Sequence, residues 1–264
     1  MTEKPVPFHL LARDNTPSPR KRSIAEALLL IAGFFVFFIV MRVSLDLVAG
    51  DYADTIGNWI AFAAFAPALI LAVKVGGKRP LRQLFSSSEQ PQRNFASTTC
   101  LATLPVAALI VILCAVSLPN PASTPNWPEF TFALLVTPVM AFLEEVFFRA
   151  WMPQLIGYWT KNAWVAFLLP VPVFALFHGA ASAGALIAFL VSGTCFALLA
   201  MTTQGVAASS VLHAVSNTTI IVLGAVMNFD SVGTNDAHGA KALALALVTA
   251  VLLAFFRSRQ PAKN

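Results

Sequence analysis

The feature that most constrains this chain is a succession of apolar runs. A helix of about 20 residues crosses roughly 30 Å of hydrocarbon, and eight candidates of that kind follow one another. They cover about 24–48, 59–75, 95–118, 130–151, 163–178, 185–201, 206–227 and 240–256. The expected fold is therefore all-α, a polytopic membrane helix bundle of about eight transmembrane helices. Composition agrees, because only 11% of residues are charged, where a soluble globular chain has about a quarter.

The first run follows a basic lead, Arg20-Lys21-Arg22, as the apolar part of a cleaved signal peptide does. It continues through Val48, too far for a signal h-region, and so reads as a retained helix. Residues 1–22 are polar, basic and proline-containing, the composition of a short disordered cytoplasmic tail. Residues 23–257 then form a single transmembrane domain, and 258–264 a second short cytoplasmic tail. No internal repeat is visible, which weighs against a repeat-built transporter.

Orientation follows from Lys and Arg in alternate loops. With the N-terminus inside, 15 of the 17 basic residues fall on the cytoplasmic side, leaving Arg42 and Lys241 outside. Asp46, Asp51, Asp54, Asp230 and Asp236 collect outside with them. The expected topology is N-in/C-in. In a soluble protein the net charge of +5 would suggest a nucleic-acid partner. Here the basic residues lie almost entirely between apolar runs, and no nucleic acid is expected. Cys100, Cys114 and Cys195 lie in or beside those runs without C-x-x-C spacing, and read as small packing residues.

An ionisable group at the bilayer centre costs roughly 2.5–3.5 kcal/mol, so each one is a functional candidate. The fourth run carries Glu144, Glu145 and Arg149. Glu145 and Arg149 are four apart on one face, in the favoured order for an ion pair. Glu144 lies about 100° around the helix with no cation at helical spacing, which leaves it available as a general base. In the fifth run Phe174 and His178 share a face, with the ring placed to wedge the imidazole. In the seventh, His213 and Asn217 are again four apart, two donors on one wall. Each piece alone has a plainer reading: charges at a helix end, a satisfied interface histidine, interhelical hydrogen bonding. Together they are the groups needed for attack of water on an amide, with base and oxyanion donors both supplied. Glu144, His178 and His213 also form a plausible zinc set with one open position.

Depth is the difficulty. At 1.5 Å per residue, Glu144 lies roughly 21 Å in from one surface and His178 roughly 22 Å in from the other. Straight helices would leave them more than about 10 Å apart in depth. Either the fourth helix continues past Trp151 towards Ile156, or Pro170 and Pro172 break the fifth. The segment 153–162 is then interfacial rather than a simple loop.

On these residues the sequence resembles the CPBP family, which includes CAAX prenyl endopeptidases, bacteriocin-processing enzymes and Abi-type membrane proteins. The family's pattern is E-E-x-x-x-R, then F-x-x-x-H, then H-x-x-x-N or H-x-x-x-D, on three membrane helices. Glu144, Glu145 and Arg149 meet the first, Phe174 and His178 the second, His213 and Asn217 the third. The motif-bearing core is about 130–227; the first three runs and the last carry no motif. The resemblance implies an intramembrane endopeptidase in which Glu144 and His178 activate water. His213 and Asn217 would stabilise the oxyanion, while Glu145 and Arg149 hold the first motif helix in place. Both metallo and metal-free glutamate mechanisms are proposed for the family. Asn217, a poor zinc ligand and a good oxyanion donor, favours the metal-free one here, with no cofactor; zinc on Glu144, His178 and His213 is the alternative. The implied partners are the lipid bilayer and a membrane-associated peptide or protein, such as a prenylated C-terminus or a leader peptide. The implied location is a bacterial cytoplasmic membrane. A catalytically silent scaffold or immunity protein, and a small proton-coupled transporter, are the competing readings.

Overall fold

A computed structural model describes residues 6–14, 19–49, 64–87, 92–117, 125–180, 182–227 and 235–258. Residues 1–5, 15–18, 50–63, 88–91, 118–124, 181, 228–234 and 259–264, which include the start of the second apolar run and most of the expected C-terminal tail, lie outside the described residues. Those described are helical apart from turns, with an isolated bridge between Ser86 and Gly205. The main helices are α1 (Pro19–Ala49), α2 (Ala64–Gly77), α3 (Gln92–Ser117), α4 (Trp127–Leu135) and α5 (Thr137–Glu145). After a π-helical turn at Val146–Trp151 come α6 (Met152–Thr160), α7 (Ala163–Leu168) and α8 (Pro170–Phe177). The chain ends with α9 (Ala183–Thr203), α10 (Ala207–Met227) and α11 (Asn235–Ser258).

Among the described residues, five helical stretches are long and apolar enough to cross a membrane: 20–44, 95–112, 183–203, 207–227 and 238–258. Ala64–Gly77 and Ala163–Phe177 are shorter apolar helices. Large apolar side chains such as Leu28, Ile31, Phe35 and Ile39 stand exposed along α1. An unbroken surface of that kind belongs in lipid rather than in water. The chain is a multi-pass integral membrane protein.

Prolines decide where the apolar runs break. Pro138 sits at the start of α5 and cannot donate to the turn before it, so α4 and α5 meet at a bend at Val136. Pro170 and Pro172 do the same after Leu169, splitting the fifth run into α7 and α8. The fourth run continues beyond Trp151 as α6 to Thr160. Both routes out of the depth conflict are thus realised, and the straight-helix separation of Glu144 and His178 does not occur. Gly179, at φ +58, ends α8 in the left-handed conformation that glycine adopts without steric cost. Its N–H bonds the Leu176 carbonyl at 3.1 Å.

α10 packs against α3, α4 and α5, while α11 lies along α9 and α3. Val106, Ile110, Phe196, Leu199, Leu212, Leu245 and Leu252 fill the space between α3, α9, α10 and α11. A second core, with Leu30, Leu69, Val146, Trp151 and Phe167, joins α1 and α2 to the motif helix.

Of the expected tail 1–22, residues 6–14 and 19–22 are described. Phe8–Leu10 and Leu11–Asp14 form two helical turns, and Phe8 and Leu11 join the second core. The Phe8 N–H donates to Gln204 Oε1 at 2.8 Å, and its ring stacks on Phe167. Apolar side chains at 6, 8 and 11 supply enough buried surface to order a segment that is polar on average. Gly157 of α6 permits the approach, since a Cβ there would run into the His9 carbonyl. Gly157→Ala is therefore expected to release this segment, raising the hydrogen-exchange rate of the Phe8 amide at least about tenfold. Unchanged protection at Phe8 would count against this account of the packing.

Candidate active site

The three motif segments meet inside the bundle. Glu144 and Glu145 are the last residues of α5, where the helix widens into the π turn. There the Met152 N–H reaches back to the Phe147 carbonyl, five residues away, and Pro153 has no N–H for the Arg149 carbonyl. One extra residue per turn rotates Arg149 relative to an ideal α-helix, a device often found at functional sites.

Glu145 and Arg149 form the expected ion pair, Oε1 to Nη1 at 3.1 Å, both essentially excluded from the surface. The arginine does more than neutralise the glutamate. Its Nη2 donates to the Gly193 carbonyl of α9 at 3.2 Å. Its guanidinium lies 4.2 Å from the Phe174 ring centroid and 5.3 Å from that of Phe196. Desolvated cation–π contacts are worth on the order of 2 kcal/mol. The absence of a side chain at Gly193 lets the guanidinium reach the α9 backbone; a Cβ there would press on Phe174, Val171 and Arg149. Arg149 thus ties the motif helix to α8 and α9.

His213 lies on α10 and is 1% exposed. Its Nδ1 is 2.9 Å from Glu145 Oε1, and Asn217 Nδ2 is 3.0 Å from its Nε2. The ring stacks on Phe196 with centroids 4.4 Å apart. The α10 pair therefore leans on Glu145 as well as on itself. Asn217 in turn accepts a hydrogen bond from Lys241 Nζ of α11. The loop-charge pattern puts Lys241 among the outer charges, yet it is buried inside the bundle. Its position at the start of the last apolar run was the signal available in the sequence, since burial of a charge there has the same cost as at Glu144.

Glu144 faces a different set of groups. Its Oε2 lies 3.6 Å from His178 Nε2 and 3.7 Å from His213 Nε2. Both exceed a direct hydrogen bond, and this buried oxygen has no hydrogen-bond partner among the described residues. At such distances a bridging water is the arrangement to consider. His178 Nδ1 lies 2.8 Å from the Phe174 carbonyl. A carbonyl can only accept, so Nδ1 carries the proton and Nε2 presents its lone pair towards Glu144. The His178 and Phe174 rings are 4.3 Å apart, so Phe174 holds the imidazole by face and by backbone.

Glu144 also lines an apolar cavity of about 180 Å³, with Leu30 and Phe34 of α1, Phe65 of α2, and Leu143, Phe147 and Phe177. Of its lining residues Glu144 alone is ionisable. Ile31, Phe35 and Phe177 on its wall are exposed at the apolar surface, so the cavity communicates with the side that lipid covers.

The donor set fits zinc only in part. Glu144 and His178 fit, because His178 has a free-facing Nε2 and a bonded Nδ1, the usual arrangement of a ligating histidine. His213 does not fit as it is oriented: Nδ1 is engaged by Glu145, and Nε2 by the Asn217 amide. No group of three metal-ligating side chains is assembled among the described residues.

A second buried network, on residues without motif, braces the site. Arg79, just after α2, binds Glu26 of α1 through Nε at 3.1 Å and Nη2 at 2.7 Å. Its Nη1 donates to Gln154 Oε1 at 2.6 Å, and Gln154 Nε2 donates to the Gln83 carbonyl at 2.6 Å. Trp151 Nε1 donates to Glu26 Oε1 at 2.9 Å. A bidentate Arg–carboxylate pair shared with an indole and an amide satisfies most of its buried polar atoms. It clamps α1 and α2 against the π turn and α6.

A multi-pass helical membrane protein with carboxylates, imidazoles and an arginine gathered inside the bundle defines the class. Within it, residues 125–219 match the family described as type II CAAX prenyl endopeptidase Rce1-like. The resemblance to the CPBP family carried by the three motifs is thereby shown over that part of the chain, and it supports an intramembrane peptidase in general. No curated protein and no solved structure matches the chain.

Proposed function

We propose that this protein is an intramembrane endopeptidase in which Glu144 activates water for attack on a peptide bond. The observation that carries the reading is Glu144 Oε2, 3.6 and 3.7 Å from two imidazole nitrogens, on a residue that also lines an apolar cavity. A water bound there donates one hydrogen to Glu144 Oε2 and the other to His178 Nε2, leaving its lone pair directed at a substrate carbonyl. Glu144 takes the proton as the C–O bond forms. The oxyanion receives a second N–H of the Asn217 amide, with His213 fixing that amide's position. Glu144 then returns the proton to the departing nitrogen as the C–N bond breaks.

The apolar cavity favours a substrate with a lipid-like group close to the scissile bond. The family description names prenyl endopeptidases, and a prenylated C-terminal peptide is the substrate class to try first. Eight membrane crossings with both termini in the cytoplasm are the topology that goes with this reading. The test is cleavage of a farnesylated peptide by the purified protein in lipid, with Glu144→Gln as the inactive comparison.

Because the His213 lone pair is directed at Asn217, hydrolysis is expected to need no zinc. Turnover should stay within about twofold after prolonged dialysis against a strong chelator, a change of less than about 0.5 kcal/mol in barrier. Loss of activity restored by stoichiometric zinc would establish the metallo reading instead.

A further inference from the structure

α1 and α6 enclose an apolar groove that the proposed hydrolysis does not use. Ser23, Ile24, Ala27 and Leu28 form its α1 wall, and Leu155, Ile156 and Trp159 its α6 wall, around about 300 Å³. Residues at these spacings share one helix face, so each helix turns a strip towards the groove. Ile24, Leu28 and Trp159 stand exposed at the apolar surface, so the groove opens to lipid. Tryptophan gathers where membrane meets water, which sets the Trp159 end at headgroup level. At Ser23 and Leu155 the groove meets a polar recess that Arg22, Glu26 and Arg79 also line. The recess measures about 10 Å³, room for about one water-sized oxygen. Ser23 is 7% exposed, and its hydroxyl has no hydrogen-bond partner among the described residues. A buried hydroxyl left that way costs free energy until an acceptor reaches it. Glu26 brings little free charge to the recess, because Arg79 binds both its oxygens. Arg20, Lys21 and Arg22 stand at this end of α1, and make the field at the mouth positive.

We propose that this groove and recess bind one anionic phospholipid, an acyl chain lying between α1 and α6 and a phosphate oxygen accepting from the Ser23 hydroxyl beside Arg22. Each part selects a different feature of the ligand. The groove needs an acyl chain, which free phosphate lacks. The basic run needs net negative charge, which a zwitterionic lipid with the same chains lacks. The hydroxyl needs an acceptor, which a hydrocarbon tail alone cannot supply. The same face of α1 continues seven residues on, where Leu30, Ile31, Phe34 and Phe35 line the cavity beside Glu144. At 1.5 Å per residue the two openings are about 10 Å apart along α1. No residue lines both, so the lipid holds α1 against α6 and leaves the cavity open. The site therefore stands whether or not the chain is a peptidase.

The experiment counts lipids retained by the purified protein in detergent, by native mass spectrometry. Phosphatidylglycerol and phosphatidylcholine with identical chains are titrated separately, with glycerol phosphate as a competitor that has no chain. One phosphatidylglycerol is expected to stay bound about tenfold more tightly than phosphatidylcholine, since each basic residue near the surface contributes about fivefold. Ser23→Ala should weaken that binding about tenfold, the loss of one hydrogen bond to a charged group. Ala27→Phe, which fills the groove, should abolish it. Glycerol phosphate in about hundredfold excess should not displace the lipid. Equal retention of the two lipids would overturn the proposal, and that comparison uses the unaltered protein. Wild-type affinity in Ser23→Ala or in Ala27→Phe would overturn it as well. So would displacement by glycerol phosphate, which would mark an anion site without a groove.

Discussion

Glu144→Gln is expected to abolish hydrolysis and leave the fold intact. Glutamine has nearly the shape of glutamate, so the wall of the cavity is preserved. It cannot accept a proton from water or return one to the leaving amine, and in this site both transfers fall to the same side chain. General acid–base catalysis contributes about 10²–10⁴-fold; with both steps removed the loss in kcat should lie near the upper end, about 10⁴-fold. The fold should not respond, because Glu144 Oε2 makes no hydrogen bond among the described residues. The stability change should stay within about 1 kcal/mol. Steady-state cleavage of a farnesylated peptide, with thermal unfolding on the same preparation, measures both. A variant keeping more than a tenth of wild-type turnover would remove Glu144 from the chemistry, and with it the proposed mechanism.

Arg149→Ala should show the reverse pattern, a failure of stability before any failure of chemistry. The side chain is the largest fully buried one among the described residues and is 1% exposed. Removing it strands the Glu145 carboxylate, 0% exposed, beside the His213 imidazole. Breaking a buried pair from one side costs about 3–5 kcal/mol. Loss of the Gly193 hydrogen bond and of the Phe174 face adds to that figure. Replacing both members, Glu145→Gln with Arg149→Met, should cost less than the sum of the single changes, since no charge is then left alone. Reversible unfolding in mixed micelles provides the comparison. A single-variant loss below about 1 kcal/mol, or strict additivity, would mean that the pair does not hold the helices together. Arg149→Lys keeps the charge but not the planar fork, and cannot reach the Gly193 carbonyl and the Phe174 face at once.

Much of this was legible in the residues themselves, and the legible part has a common character. Hydropathy depends on runs of neighbours, so the helical membrane character follows from counting along the chain. The Glu145–Arg149 pair, the Phe174–His178 contact and the His213–Asn217 contact all join residues four apart, where one helix determines the geometry on its own. The prolines at 170 and 172 announce the break in the fifth run for the same local reason.

What the tertiary structure decided concerns rotation and packing between helices. Whether His213 turns to Glu144 or Glu145 depends on how α10 sits against α5. The small Gly193 and the rings of Phe174 and Phe196 set the neighbouring contacts. The π turn at Val146–Trp151 changes the register of the residues that follow it, which no pattern of apolar positions reveals. Lys241 and Arg79 stand near the ends of apolar runs, where a charge count assigns them to loops; the fold draws both inside and gives each a partner.

The polar groups that lipid should forbid were thus identifiable one by one from their place in apolar runs. Their division of labour was not. By sequence alone the chain is a membrane helix bundle with three motif-bearing helices. Only the packed structure separates Glu145, bonded to Arg149 and His213 Nδ1, from Glu144, left facing the Nε2 atoms of His178 and His213 without a hydrogen bond. The physical reason is that burial cost is a property of each residue, whereas the partner that offsets it comes from another helix.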